Sequence, residues 1–446
     1  MVERQILTLE VVGSNPAMLA FDDGNSLWSS RFVQYGLEVH MREFTKSTKL
    51  DNVCYDVRGP VVDEANRMIE DGVDILRLNI GNPAPFGFRA PAGIVEEIEK
   101  NLYDTQGYSD SKGLASARRA IMDYCKRKNI PNVGMNDIYT GNGVSELITM
   151  SMQGLLDDGD EILIPMPDYP LWTAAATLAG GKAVHYRCDE QAHWYPDIED
   201  IKKKINPKTK GIVIINPNNP TGVLYSKEIL QEIVDVARKY ELIIFSDEIY
   251  DRLVMDGKEH ISIASLAPDM MCITFNGLSK SHLIAGYRVG WMCLSGDKSH
   301  CRGYIEGLNM LSSMRLCSNV PAQSVIAAAL SMYDEKKPDA MLLPGGRIYE
   351  QREYIYKALN DLPGVTTVKP DAAFYTFPKI DTKRYHIVDD EQFALDLLRE
   401  KKILLVHGRG FNWEEPDHFR VVYLPCVEDL SKAMLAFGDF LKNRES

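Results

Sequence analysis

The sequence predicts an α/β fold: a mostly parallel sheet covered by helices, with a smaller α+β domain beside it. Three observations predict it. Short apolar runs recur at 161–165 (EILIP), 211–215 (GIVII), 242–245 (LIIF), 272–275 (CITF) and 289–293 (VGWMC). Each is too short for a helix and apolar on both faces, as a strand buried in a largely parallel sheet must be. Helical stretches such as 145–156 and 227–240 fall between them, which gives the alternation of βαβ units. After about Gly345 the texture changes: a charged helix at 347–359 precedes alternating segments at 365–369, 373–378, 402–407 and 419–424. That change marks the smaller domain.

A length of 446 residues, at about 150 per domain, suggests two or three domains. We expect an N-terminal extension over 1–43, the N-terminal part of the small domain over 44–91, the large domain over 92–340 and the rest of the small domain over 341–446. Lys and Arg number 50 against 63 Asp and Glu, a net charge of −13. Such a surface repels phosphate backbones, so no nucleic-acid partner is expected. No apolar run approaches the roughly 18 residues of a membrane span. The early apolar residues, Ile6 to Val12, are mixed with Glu3 and Glu10 and lack the basic start of a secretory signal. Eight scattered cysteines without a C-x-x-C pair point to free thiols in a reducing cytoplasm. Nine histidines without H-x-x-x-H spacing predict no metal.

The polar segments that follow the predicted strands carry the chemistry, because open α/β sheets bind ligands at the carboxyl ends of their strands. The segment 139–146 (YTGNGVSE) is a strand end, a glycine turn and a helix start. Its backbone N–H groups can attract a phosphate, although a plain βα turn reads the same way. PMPDYP (165–170) presents Tyr169 on a proline-stiffened loop, where a rigid ring can stack on a flat cofactor or simply pack. NPNNPTG (216–222) turns Asn219 inward through two X-Pro steps. SDEIY (246–250) sets Asp247 directly after a buried strand. There a carboxylate is costly without a cationic partner, such as a protonated ring nitrogen; a helix N-cap is the structural alternative. NGLSK (276–280) ends on Lys280, which can act as a nucleophile once its amine is partly desolvated, and Arg288 can return eight residues later to bind an anion. Together they supply what pyridoxal phosphate requires: a lysine for a Schiff base, an aspartate for the pyridinium nitrogen and a phosphate turn.

NPNNPTG, SDEIY and NGLSK with Arg288 resemble the class I/II aminotransferases, the fold type I pyridoxal-phosphate enzymes, from about Lys49 to the C-terminus. The segments 49–60 (KLDNVCYDVRGP), 78–88 (LNIGNPAPFGF), 107–114 (GYSDSKGL), 168–175 (DYPLWTAA), 313–323 (SMRLCSNVPAQ) and 417–425 (DHFRVVYLP) are similar to the bacterial glutamate–pyruvate (alanine) aminotransferases.

The resemblance implies roles residue by residue. Lys280 would bind the cofactor covalently and shuttle the proton. Asp247 would hold the ring nitrogen, Asn219 and Tyr250 the ring oxygen, and Tyr169 the ring face. Gly143, Val144, Ser145 and Arg288 would cradle the phosphate. Tyr108 would reach it from a neighbouring subunit, which implies a homodimer. Arg420 would clamp the substrate carboxylate with Gly81 and Asn219. Relatives often carry a serine three residues before the lysine; here that position is Gly277, which leaves Ser279 or backbone to serve, and 281–285 (SHLIA) also departs from the usual pattern.

The implied activity is amino transfer between L-alanine and 2-oxoglutarate in a ping-pong cycle, so the partners are small amino acids and 2-oxo acids. Other amino donors, aromatic or small and neutral, and a C–S lyase are the alternatives. The distal carboxylate of glutamate needs a cation. Arg58, oriented by Tyr55, is favoured over Arg315 because its segment can fold over the pocket.

Overall fold

Eight strands form the central sheet of a computed structural model that describes residues 43–51, 53, 59–332 and 339–445. They are β1 (Ile138–Asn142), β2 (Glu161–Met166), β3 (Lys182–Asp189), β4 (Tyr195–Pro196), β5 (Thr209–Ile215), β6 (Ile243–Asp247), β7 (Cys272–Gly277) and β8 (Val289–Ser295). Their order across the sheet is β1-β8-β7-β6-β5-β2-β3-β4. The pairs β2/β3, β2/β5, β5/β6 and β6/β7 are parallel. β8 runs antiparallel to both of its neighbours, and β4 antiparallel to β3.

Alternation along each strand explains the double-sided apolar runs. Leu163, Ile212, Ile214 and Ile244 enter one core, with Leu230, Ile233 and Val234 of the helix Lys227–Lys239. Their sequence neighbours Ile164, Val213, Ile215 and Phe245 enter a second core on the opposite face, with Leu147 and Ile148 of α1 (Val144–Leu155) and Trp172 of α2 (Leu171–Leu178). Each such side chain taken from water contributes about 1.5–3 kcal/mol. The helix over 227–239 starts where Ser226 accepts the Ile229 N–H at 3.4 Å, a side-chain N-cap.

Two strands were not fully legible in the sequence. The run at 289–293 read like the others, yet its strand is reversed. A strand buried on both faces is apolar whichever way it runs, so the pattern carries no direction. β3 had no such run. Lys182 and Arg187 on it are exposed, and its polar side reaches solvent near the sheet edge.

The C-terminal region has small sheets. A three-stranded antiparallel sheet has the order Tyr375–Thr376, Phe419–Val422, Val406–His407. The two-residue strand Leu76–Arg77 pairs in parallel with Ile403–Leu404. A third core joins Val61, Met68 and Leu78 to Ile348, Ile355, Leu397 and Phe437, so sequence-distant segments from both ends close over one another. Among the described residues no helix is long and apolar enough to cross a membrane, and no cluster of His, Cys, Asp and Glu could hold a metal ion.

Candidate active site

The strand ends converge on one cavity of about 630 Å³. Asp247 is the last residue of β6, Gly277 the last of β7 and Ile215 the last of β5. The cavity therefore opens at the carboxyl edge of the parallel strands.

Lys280 enters it from α3 (Leu278–Ser281), the single turn after β7. Its Nζ donates to the Gly81 carbonyl at 2.6 Å. Gly81 has no room for a side chain: a Cβ there would sit 2.0 Å from the Tyr375 hydroxyl. Gly277 is equally constrained, since a Cβ would fall 2.5 Å from the Val289 carbonyl on β8. The departure from the serine pattern therefore has a steric reason, and Ser279 lines the cavity instead.

Asp247 is 4% exposed. It accepts the Trp172 indole N–H and the Ile249 N–H, both at 3.3 Å, and no Lys or Arg among the described residues pairs with it. Burial pushes its carboxyl up to about 6. A buried acid that faces a cavity without a counter-ion fits a cationic ring nitrogen.

Tyr250 borders the same space. Burial, and then the neighbouring Tyr375, raises its phenol well above the ordinary range, so it stays protonated and can donate. Asn219 uses its Oδ1 to accept from Arg420 at 2.9 Å, which leaves the amide NH₂ as the group able to donate elsewhere. Arg420, 3% exposed, also donates to the Asn79 carbonyl. Its guanidinium lies between the rings of Tyr375 and Phe411, at 4.7 and 4.6 Å. It is a preorganised fork for a carboxylate.

At the other end Val144 and Ser145, the first residues of α1, line the cavity with Arg288. Gly143 precedes them at φ 78°; a Cβ on it would meet the Arg288 guanidinium at 2.1 Å. Arg288 is itself left-handed at φ 57°, and it donates to the carbonyls of Ala285 and Asn142 at 2.8 and 3.3 Å. Free N–H groups at a helix start beside an exposed guanidinium suit a phosphate.

Tyr169 also lines the cavity. The preceding Asp168 accepts from Thr173 and Asn412 at 2.8 and 2.7 Å, and its N–H donates to the Phe411 carbonyl at 3.0 Å. The Tyr169 loop is thus tied to the segment that carries one of the rings facing Arg420.

Four expected residues remain: Tyr108, Tyr55, Arg58 and Arg315. Tyr108 is 84% exposed and does not border the cavity within this chain. Tyr55 and Arg58 lie outside the described residues. Arg315 binds Glu146 and the carbonyls of Thr140 and Ser111, the latter two at 2.6 and 3.1 Å, and does not border the cavity. Sequence reading missed Tyr375 and Trp172. The alternation of 373–378 had placed the former on a strand, but nothing local joined it to Tyr250.

Known proteins resemble the chain over most of its length. Glutamate–pyruvate aminotransferase AlaA of Haemophilus influenzae is 60% identical over 403 residues, 90% of this chain and 99% of that protein. The crystal structure of an Escherichia coli aminotransferase superposes with a TM-score of 0.89 at 57% identity, over 91% of this chain and all of that one. Alanine aminotransferase from Pyrococcus furiosus gives 0.84 at 41%, over 90% of this chain and all of that one. The family description Aminotransferase class I and II matches residues 73–434, and with relatives at this identity over nine-tenths of its length the chain belongs to that family.

Proposed function

We propose that the protein transfers the amino group between L-alanine and 2-oxoglutarate, giving pyruvate and L-glutamate, with pyridoxal phosphate held in the cavity. One observation carries the reading: Lys280, Asp247 and Arg420 share a single cavity in a chain 60% identical, almost end to end, to a protein named for glutamate–pyruvate transamination. When bound, pyridoxal phosphate supplies an electron sink for the pair left by a broken Cα–H bond.

The protein's own groups do the rest. Asp247 presents its negative charge to the ring nitrogen and keeps it protonated. The Asn219 amide and the Tyr250 hydroxyl donate to the ring oxygen, and Tyr169 covers the ring face. The N–H groups of Val144 and Ser145, with Ser279 and Arg288, hold the phosphate. Arg420 would fix the substrate carboxylate, which sets the Cα–H bond within reach of Lys280 Nζ; that amine would take the proton from Cα and return it at the C4′ carbon, two atoms along.

A homodimer completes the site through Tyr108, whose exposure suits a hydroxyl offered to a second copy. Arg58 receives the distal carboxylate of glutamate, with Tyr55 orienting it; the prior engagement of Arg315 with Glu146 supports that choice. The chain divides its labour between a cofactor domain near 92–340 and a small domain built from 44–91 and 341–446, and the enzyme works in the cytoplasm.

The test is an amino-donor screen with 2-oxoglutarate and pyruvate as acceptors. Pyruvate and glutamate should form from alanine and 2-oxoglutarate, and Arg58→Ala should raise KM for glutamate far more than for alanine. Amino transfer from other donors but not from alanine would overturn the substrate assignment. Pyruvate released from a sulfur amino acid without any acceptor would mark a C–S lyase instead.

A further inference from the structure

Tyr375 stands at the junction of the two ends of the substrate side. Its hydroxyl is 2.8 Å from that of Tyr250, and the two rings meet edge to face at 5.6 Å and 87°. Its ring carries the Arg420 guanidinium at 4.7 Å. Its oxygen occupies the space that any side chain at position 81 would need, while the Gly81 carbonyl accepts from Lys280. Tyr375 therefore touches the residues assigned to the carboxylate and the ring oxygen, and packs on the glycine whose carbonyl holds Lys280, yet lies 125 residues from Tyr250 in the chain.

A proton count fixes the direction of the hydroxyl pair. Each phenol has one hydrogen to give. Were Tyr250 to donate to Tyr375, it would have none for the cofactor. With the ring oxygen accepting from Tyr250, Tyr375 must be the donor of the pair.

We propose that Tyr375 is a positioning residue for amino transfer: its hydroxyl donates to the Tyr250 oxygen, aims the Tyr250 O–H at the cofactor ring oxygen and strengthens that donation, while its ring shelves Arg420. This rests on the function proposed above. Chains of hydrogen bonds polarise one another in a buried site. The groups facing the Tyr250 phenol are Tyr375, Arg420 and Asp247, so Tyr375 is the neutral member that can supply the donor. Donation to the ring oxygen lowers its negative charge, and with it the affinity of the adjacent Lys280 nitrogen for a proton. Loss of the Tyr375 hydroxyl should therefore raise the pH at which that nitrogen deprotonates.

The experiment is a pH titration of the visible absorbance of the holoenzyme, which follows the cofactor bound to the lysine. Tyr375→Phe, which keeps the ring, should move the midpoint up by about half a pH unit and leave KM for alanine within about twofold. In a Tyr250→Phe background the same change should produce no further movement. Tyr375→Leu should show the same upward movement and in addition raise KM for alanine about tenfold through loss of the shelf. A midpoint unchanged in Tyr375→Phe, or one that moves equally with and without Tyr250, overturns the proposal. The function itself fails separately, if the unaltered protein mixed with pyridoxal phosphate shows no lysine-bound absorbance.

Discussion

Two arginines face one cavity under opposite regimes. Arg420 is buried, held by Asn219 and the Asn79 carbonyl, and sandwiched between two rings. Arg288 is exposed, bonds two backbone carbonyls among the described residues, and owes its place to its own left-handed backbone and to a glycine that clears its path. On the proposed function, the difference follows from what each would bind. A substrate enters and leaves in each half-cycle, so its carboxylate needs a fork fixed in advance that costs no reordering on every turnover. A phosphate that stays bound can be held by many weak donors, of which an exposed guanidinium is one.

The largest effect should come from disturbing the buried fork. Arg420→Lys keeps the charge and loses the bidentate geometry; kcat/KM should fall about 100- to 1,000-fold for alanine and for 2-oxoglutarate alike, because both offer a carboxylate there. Steady-state kinetics with each substrate checks this, and a loss confined to one substrate breaks the comparison.

Asp247 gives the next effect, and its sign depends on the cofactor. Burial raises its carboxyl from an ordinary 3.8 to about 6. The folded chain thus holds this proton more tightly than the unfolded one, and the stabilisation is complete below about pH 4 and lost as pH rises through 6. Without cofactor, Asp247→Asn should be more stable than the unaltered chain at pH 8 by an amount on the order of 3 kcal/mol, with the gain vanishing by pH 4. With cofactor bound the order should reverse, because the carboxylate then has its cation. Denaturant melts at the two pH values, with and without pyridoxal phosphate, read both signs.

The exposed arginine should matter least. Arg288→Ala should weaken cofactor binding about tenfold, with kcat largely restored at saturating pyridoxal phosphate. A loss as deep as that of Arg420→Lys would show that exposure is a poor guide to the division of labour.

Much of this site was legible because its residues sit in short motifs at strand ends. Asn219, Asp247 and Lys280 each follow a buried run closely, and Arg288 directly precedes one, so local spacing delivers them to one edge of the sheet. What escaped depends on long-range register. Tyr375 reaches Tyr250 only because Tyr375–Thr376 pairs with Val421 and Val422 beside Arg420, and no window of sequence holds both tyrosines. Trp172 meets Asp247 across 75 residues. The reversal of β8 was hidden for another reason: burial on both faces erases the alternation that would have hinted at its surroundings. Gly277 looked like a gap in the phosphate shell, and only the approach of the Val289 carbonyl explains it.

The proposed function requires Lys280 to carry the cofactor. Borohydride reduction of the protein with pyridoxal phosphate, followed by digestion and mass spectrometry, tests it directly. One modified peptide should appear, with the cofactor fixed on Lys280, and no such label in Lys280→Ala; a label on a different lysine, or an equal label in the variant, rules this assignment out.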